Sequence, residues 1–443
     1  MIRLRTLWQN INSSLWFVPT LMVGGAMLLA YGLVIIDVTI GDKWVNDYPL
    51  LFGAGADGAR GVLSAIAGSM MTVAALIFSL TLSTLAQVSN QYTPRVLRNF
   101  MGNRINQVVL GFFVSIFVYC LLVLRTIRGG DEGSFIPSLA VSGGLVLALV
   151  SIGVLVFFIH HMASSIQAAN IVGAATEETE ESIERLFPDE LGEEADDAEE
   201  ADLAEQAPDL TWVPVPAQRN GYVQSIDSEG MLELARAQQC IIRMEHGVGS
   251  FVASRAALVS VARYEGGAVQ LDDELRKKFN LLFSLGSQRT ITQDVGFGLR
   301  QVVDIALKAL SPGVNDTTTS IICIDHLGSL IARLATCRLA DPLRADNNEG
   351  RDRVRVITIR PSFASFAATA FDQIRVAGEG NVAVYLRLLT ALATAAARTT
   401  SPSRRTVLRQ HHNLIAEAAT RTLQTGHERE QVRAKLAEAE KVY

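Results

Sequence analysis

Charge is missing from four long stretches of this 443-residue chain. Thr6 to Ile36, Gly61 to Pro94, Ile105 to Leu124 and Phe135 to Ile159 contain no Asp, Glu, Lys or Arg. A helix needs about 20 mostly apolar residues to cross a hydrocarbon layer about 30 Å thick, and each stretch can supply them. That excludes a wholly soluble protein. The cores of these stretches also lack any acidic or basic residue, which argues against a proton relay or a coupled pump. Short catalytic signatures are absent too: there is no Gly-rich phosphate loop, no HExxH and no GxSxG. Cysteine is scarce. Cys120 lies within an apolar stretch, Cys240, Cys323 and Cys337 are scattered, and no CxxC or disulfide-type spacing joins them. This fits a reducing compartment for the polar part, and it predicts no metal site and no cofactor.

What is present reads as a membrane domain followed by a large polar tail. The expected spans are Leu15–Ile36, Val62–Leu85, Val108–Leu124 and Ser138–Ile159. Trp44 and Tyr48 stand where interfacial aromatics belong. An even number of spans puts both termini on one side. The basic residues favour neither side clearly, with Arg3, Arg5, Arg95, Arg98 and Arg104 against Lys43, Arg60, Arg125 and Arg128. The reduced cysteines tip the expectation towards a multi-pass bacterial inner-membrane protein with both termini cytoplasmic.

Between Glu177 and Asp209 there are 16 acidic residues against Arg185 alone, a net of −15. The whole chain carries −6, so the remainder carries +9. Low hydrophobicity and dense charge make this block a solvated linker. The expected organisation is therefore a four-helix transmembrane domain over 1–175 and an acidic linker over 176–210. A small β-rich module follows over 211–290, then a mainly helical domain over 291–443 with one strand near 353–359. The fold class expected is membrane α-helical plus a cytoplasmic α/β domain with a helical C-terminus.

Several segments resemble one bacterial family, the predicted membrane proteins grouped as domain of unknown function 2254. They are Thr93-Pro94-Arg95-Val96-Leu97-Arg98-Asn99-Phe100, Tyr119 to Arg125, Phe158-Ile159-His160-His161, Ser165-Ile166-Gln167 and, longest, Val303 to Asp316. The resemblance covers nearly the whole chain. It implies a membrane protein and carries no chemistry. Where the family pattern leads us to expect Pro after Asn315-Asp316, this chain has Thr317. A weaker resemblance links Gly221 to Val261 with the two halves of a barrel-sandwich hybrid, as in biotinyl and lipoyl carriers. No lysine lies between Gly221 and Leu275, so a swinging-arm role is not expected.

Two polar constellations stand out. In the second span Ser69, Thr72, Ser79, Ser83, Gln87 and Asn90 share one stripe at 100° per residue, with Leu76 the single apolar member. Such a stripe must face protein or water. Either it packs helices together, or it lines a path with Leu76 as a hydrophobic constriction. Four helices enclose no wide path, so the second reading requires a homo-oligomer. The other constellation is a helix-loop-helix holding Arg289, Asp294, Asn315, Asp316, Thr318 and Asp325, a candidate ligand or regulatory site or a capped helix pair. His160-His161 read as interfacial, and His411-His412 as solvated on an exposed helix. The function expected is an oligomeric channel or passive permeation path with a cytoplasmic regulatory domain, partnered by the bilayer and open to a small-molecule ligand, with no nucleic acid. The alternative is a non-conducting sensor or scaffold. A membrane-surface enzyme has least support.

Overall fold

The computed structural model describes residues 16–40, 55–91, 104–129, 135–188, 210–263, 269–339, 343–346 and 353–443, with backbone only at 40, 90, 91, 343–346, 353 and 354. Trp44, Tyr48, Lys43, Arg3, Arg5, Arg95, Arg98 and most of the acidic block lie outside the described residues. The chain divides into two compact units, one up to Asn170 and one from Ile171 to Tyr443.

The first unit is a bundle of α1 (Phe17–Ile40), α2 (Ala56–Gln91), α3 (Arg104–Thr126) and α4 (Ser138–Ser165). All four are long and apolar enough to cross a membrane. α2, α3 and α4 run beyond the spans expected, since residues such as Ala, Gln and Ser continue the backbone ladder at little cost, and α1 starts at Phe17 and continues to Ile40. α3 is the hub and packs against the other three. It buries Phe113, Ile116, Tyr119, Cys120 and Val123, whereas α1 and α4 turn Leu28, Val38, Leu149 and Phe157 outward. Gly111 lets α1 and α3 touch: a Cβ there would lie 2.9 Å from the Pro19 Cα. One end of the bundle is tied by side chains. α4 starts behind Pro137 with no cap of its own. Asp37 of α1 supplies one, accepting from the Leu139 and Ala140 N–H groups at 3.0 Å each. Tyr119 donates to the Ala140 carbonyl at 2.7 Å, and Arg60 to the Ile127 carbonyl at 3.1 Å.

α5 (Ala168–Leu186) follows α4 after Ile166 and Gln167, belongs to the second unit from Ile171 on, and buries Val172, Thr179 and Ile183. The first residues of the acidic stretch, up to Leu186, thus belong to a packed helix. Strands β1 (Val213–Pro216), β2 (Gly221–Ile226), β3 (Ile241–Met244), β4 (Phe251–Val252), β5 (Ala257–Ala262), β6 (Phe283–Gly286), β7 (Leu343–Asp346) and β8 (Arg353–Ile357) form two sheets. One has the order β1-β5-β3-β8-β7 and the other β4-β2-β6. β1 carries Pro214 and Pro216 and is an edge strand, where a missing N–H is tolerated. The strands that resemble a barrel-sandwich hybrid are divided: β2 and β4 share one sheet, and β5 lies in the other between β1 and β3, a sheet that β7 and β8 from beyond residue 340 complete. The module's core includes Val223, Met231, Ile242, Val261 and Phe279.

The remaining helices are α6 (Ser228–Ala237), α7 (Asp273–Leu281), α8 (Val295–Ala309), α9 (Thr317–Leu334), α10 (Phe363–Ala377), α11 (Val382–Arg398), α12 (Pro402–Thr422) and α13 (Gly426–Ala439). Each begins behind a side-chain cap: Asp227, Asp272, Asp294, Asp316, Ser362, Asn381, Ser401 and Thr425 in turn. These short side chains satisfy N–H groups that the helix itself cannot. α5 packs on α8 at Gly298, where a Cβ would collide with the Thr179 side chain.

His411 and His412 differ from the solvated pair expected: they are 7% and 5% exposed. α12 packs against α10 and α11 and also against α13, so two adjacent positions, about 100° apart, both meet neighbours. His411 stacks edge-on against Phe371, with its Nδ1 3.4 Å from Asp372 Oδ1. His412 Nε2 is 3.2 Å from the Leu436 carbonyl. Burial pushes the His411 imidazole below its ordinary value and Arg375 adds to this, while Asp372 opposes it. The unfolded imidazole, near about 6.5, therefore takes up a proton that the folded one refuses. This contribution is fully present above about pH 6.5 and is lost as pH falls towards the folded-state value, with a slope of at most about 1.4 kcal/mol per pH unit. His411→Gln should remove that part of the pH dependence from thermal unfolding of the full chain in detergent between about pH 7.5 and 5. An unchanged slope would mean that another group titrates.

Candidate functional site

α2 has two opposed faces. Ala59, Leu63, Ile66, Ala67, Met70, Ala74 and Ile77 are buried against the bundle. Ser69, Thr72, Leu76, Ser79, Ser83 and Gln87 lie on nearly the opposite side and are exposed. Asn90 belongs to the helix, but its side chain is outside the described residues. Gly58, Gly61 and Ala65 extend the same face towards the helix start, and a Cβ on Gly58, Gly61 or Gly68 would meet nothing within 4 Å. Packing within one chain therefore leaves this strip of small and hydroxylated residues bare. Ser69 donates to the Ala65 carbonyl at 2.8 Å and Thr72 to the Gly68 carbonyl at 3.0 Å, so both hydroxyls are tied to their own helix.

The second constellation resolves into local structure. Arg289 donates to Asp294 through Nε at 2.8 Å and Nη2 at 3.0 Å, and stands over the Phe297 ring. Asp294 also caps α8, accepting from the Phe297 N–H at 2.9 Å. Gly249 covers this pair. Its φ of +85° is in the left-handed region, and a Cβ there would run into Asp294 and lie 2.9 Å from Arg289 Nη2. Arg289 and Asp294 are thus engaged with each other and with the β4 loop.

Asn315 has φ +49°, which asparagine tolerates, and it ends α8 in a tight turn. Its N–H donates to the Ser311 carbonyl at 2.9 Å, and the Asp316 N–H to the Ala309 carbonyl at 2.8 Å. Asp316 caps α9, accepting from the Thr319 N–H at 3.0 Å and hydroxyl at 2.6 Å. The Thr319 hydroxyl, then its N–H, hold the Asp316 carboxyl below the usual carboxylate range. Thr317, where proline was expected, accepts from Asn381 Nδ2 at 3.0 Å and so links the caps of α9 and α11. Thr318 is exposed. Asp325 is one helical face further on, paired with Arg387 of α11.

The six candidates therefore do not converge. Asp325 lines a groove with Arg333, Arg387 and Arg398, which sequence reasoning missed. Their signal was helical spacing: Asp325, Ser329 and Arg333 on one helix, and Arg387, Thr390, Thr394 and Arg398 on another. Among the described residues no group of three or more His, Cys, Asp or Glu is placed to hold a metal ion. Asp316→Ala should cost about 0.5–2 kcal/mol through the lost cap. Asp294→Ala should cost more, because it also strips Arg289 of its carboxylate. Both are read as melting temperatures of the full chain, and an Asp294→Ala protein as stable as wild type would refute this assignment.

The family described as Predicted membrane protein (DUF2254) matches residues 12–394. Uncharacterised proteins of Mycobacterium bovis and Mycobacterium tuberculosis are each 32% identical over 444 aligned residues, covering 99% of this chain and 82% of the relative. No solved structure matches the chain.

Proposed function

The chain belongs to the DUF2254 family of predicted membrane proteins, and from that premise we propose that it forms a homo-oligomeric channel or passive permeation path. Its α2 helices meet along the face from Gly61 to Gln87. The observation that carries this reading is the bare face of α2, small and polar along its length and turned away from the packed bundle. Small residues let helix backbones approach closely in lipid, where dispersion and short polar contacts drive association. A closed ring of copies brings Ser69, Thr72, Ser79, Ser83 and Gln87 to one axis. Leu76, 54% exposed in the single chain, then forms the one apolar ring, and an apolar ring blocks ions by dewetting. The second unit regulates this path. In the sensor or scaffold alternative the same face associates without an open axis.

Orientation belongs to the same proposal: an inner membrane, with both termini and the second unit in the cytoplasm. In a cysteine-free background, single cysteines at Asp42 and Asp131 should react with an impermeant maleimide on intact cells, and one at Ser228 should not. Labelling at Ser228 would reverse the orientation.

Single cysteines at Ser69 or Ser79 should cross-link between copies, and Leu76→Ser should raise basal conductance several-fold in reconstituted bilayers. Ser79→Ala should change little, since one hydroxyl is a small part of a hydrated wall. Cross-linking without conductance in Leu76→Ser would favour the scaffold. Neither outcome would leave α2 facing lipid.

A further inference from the structure

The second unit holds an open groove of about 580 Å³ between α9 and α11. The two helices run side by side in one direction: Thr317 meets Asn381, Asp325 meets Arg387 and Gly328 meets Ala391 in step along both. Gly328 makes the approach close, since a Cβ there would lie 2.8 Å from the Ala391 Cβ. Gly328 and Ala391 both line the groove.

Its charges are unevenly matched. Asp325 is committed to Arg387. Arg289, Arg300, Arg409 and Arg421 likewise each hold a carboxylate. Among the described residues Arg333 and Arg398 hold none, and both line the end of the groove where α9 and α11 finish. A last-turn arginine favours the helix dipole, but that interaction does not require two guanidiniums to share one groove. Planar five-donor groups brought together suit an oxyanion such as phosphate.

The hydroxyls add a second requirement. Thr390 donates to the Leu386 carbonyl at 2.9 Å and Thr394 to the Thr390 carbonyl at 2.9 Å. Their protons are spent on the helix, so what either hydroxyl oxygen still offers is an acceptor, and both residues line the groove. Glu180 of α5, which also lines it, is an acceptor when ionised. Hydroxyl groups are among the donors that match such acceptors. Among the described residues no aromatic ring lines the groove, so they offer no stacking platform for a nucleobase.

We propose that this groove binds a phosphate-bearing polyol, with the phosphate on Arg333 and Arg398 and hydroxyls donating to Thr390, Thr394 and Glu180. The inference is independent of whether the α2 faces form an axis. Two sources carry this chemistry: a soluble sugar phosphate and a phospholipid headgroup.

The test uses the full chain in phosphatidylcholine nanodiscs, titrated calorimetrically with glucose 6-phosphate. Saturable binding is expected, weakened at least tenfold in Arg333→Gln/Arg398→Gln. Thr394→Val should weaken it several-fold with an unchanged melting temperature, which guards against a folding defect. Glucose should not bind, and inorganic phosphate should bind more weakly than glucose 6-phosphate. A second arm compares melting temperatures in phosphatidylglycerol and phosphatidylcholine nanodiscs. A rise with phosphatidylglycerol in the wild type but not in the double variant assigns the headgroup as the source. Equal affinity in wild type and double variant overturns the site. Inorganic phosphate binding as tightly as glucose 6-phosphate overturns the polyol. No binding in the first arm with no variant-dependent rise in the second overturns both.

Discussion

Hydrocarbon offers no hydrogen bonds, and the arrangement of the first unit follows from that constraint. A helix satisfies its own backbone everywhere but at its ends, so the ends are where the four spans need help. α4 starts behind a proline and cannot cap itself, and the carboxylate that completes it comes from the far end of α1. Tyr119 ties the same turn to α3. The same constraint gives the outward face of α2 its meaning. Ser69 and Thr72 bond back to their own helix, which makes them tolerable beside another helix or beside water.

The second unit is governed by water instead, and there local side-chain chemistry decides. Eight successive helices start behind Asp, Asn, Ser or Thr. Two of those caps serve a second purpose: Asp294 also holds Arg289, and Asn381 also reaches Thr317. A polar cluster that looks like a ligand site in one dimension becomes a set of joints in three. Of the charged side chains left outside these joints, Arg333 and Arg398 are two that line the groove between α9 and α11.

How legible this was depended on how local each signal is. Missing charge fixes a span wherever it occurs, so all four membrane helices were readable, and their ends were less so because α2 and α4 extend through residues that are neither apolar nor disruptive. The β-rich module, the strand β8 near 353–359 and the capped helix pair around Asp316 were readable from alternation and cap chemistry. β6 and β7 were not, since their partners β2 and β8 fix them, one of these about 60 residues away in sequence. The polar stripe on α2 was visible as a period, but its direction, away from the bundle, depends on which face of α2 meets α3. His411 and His412 were misread for a similar reason: a polar pair on an amphipathic helix seems solvated until both of its sides find neighbours. The arginine groove needed two helices to be placed in parallel before its spacing meant anything.

Ile166 and Gln167 alone separate α4 from α5. Two residues reach at most about 7 Å. A groove built partly from α5 is therefore never free to diffuse away from the lipid around the fourth span. Effective concentration, not affinity alone, sets what such a tethered site encounters, and short tethers hold their contents at about millimolar levels. For the ligand proposed for that groove, such tethering would raise occupancy by a membrane-borne source far above what its affinity in solution implies.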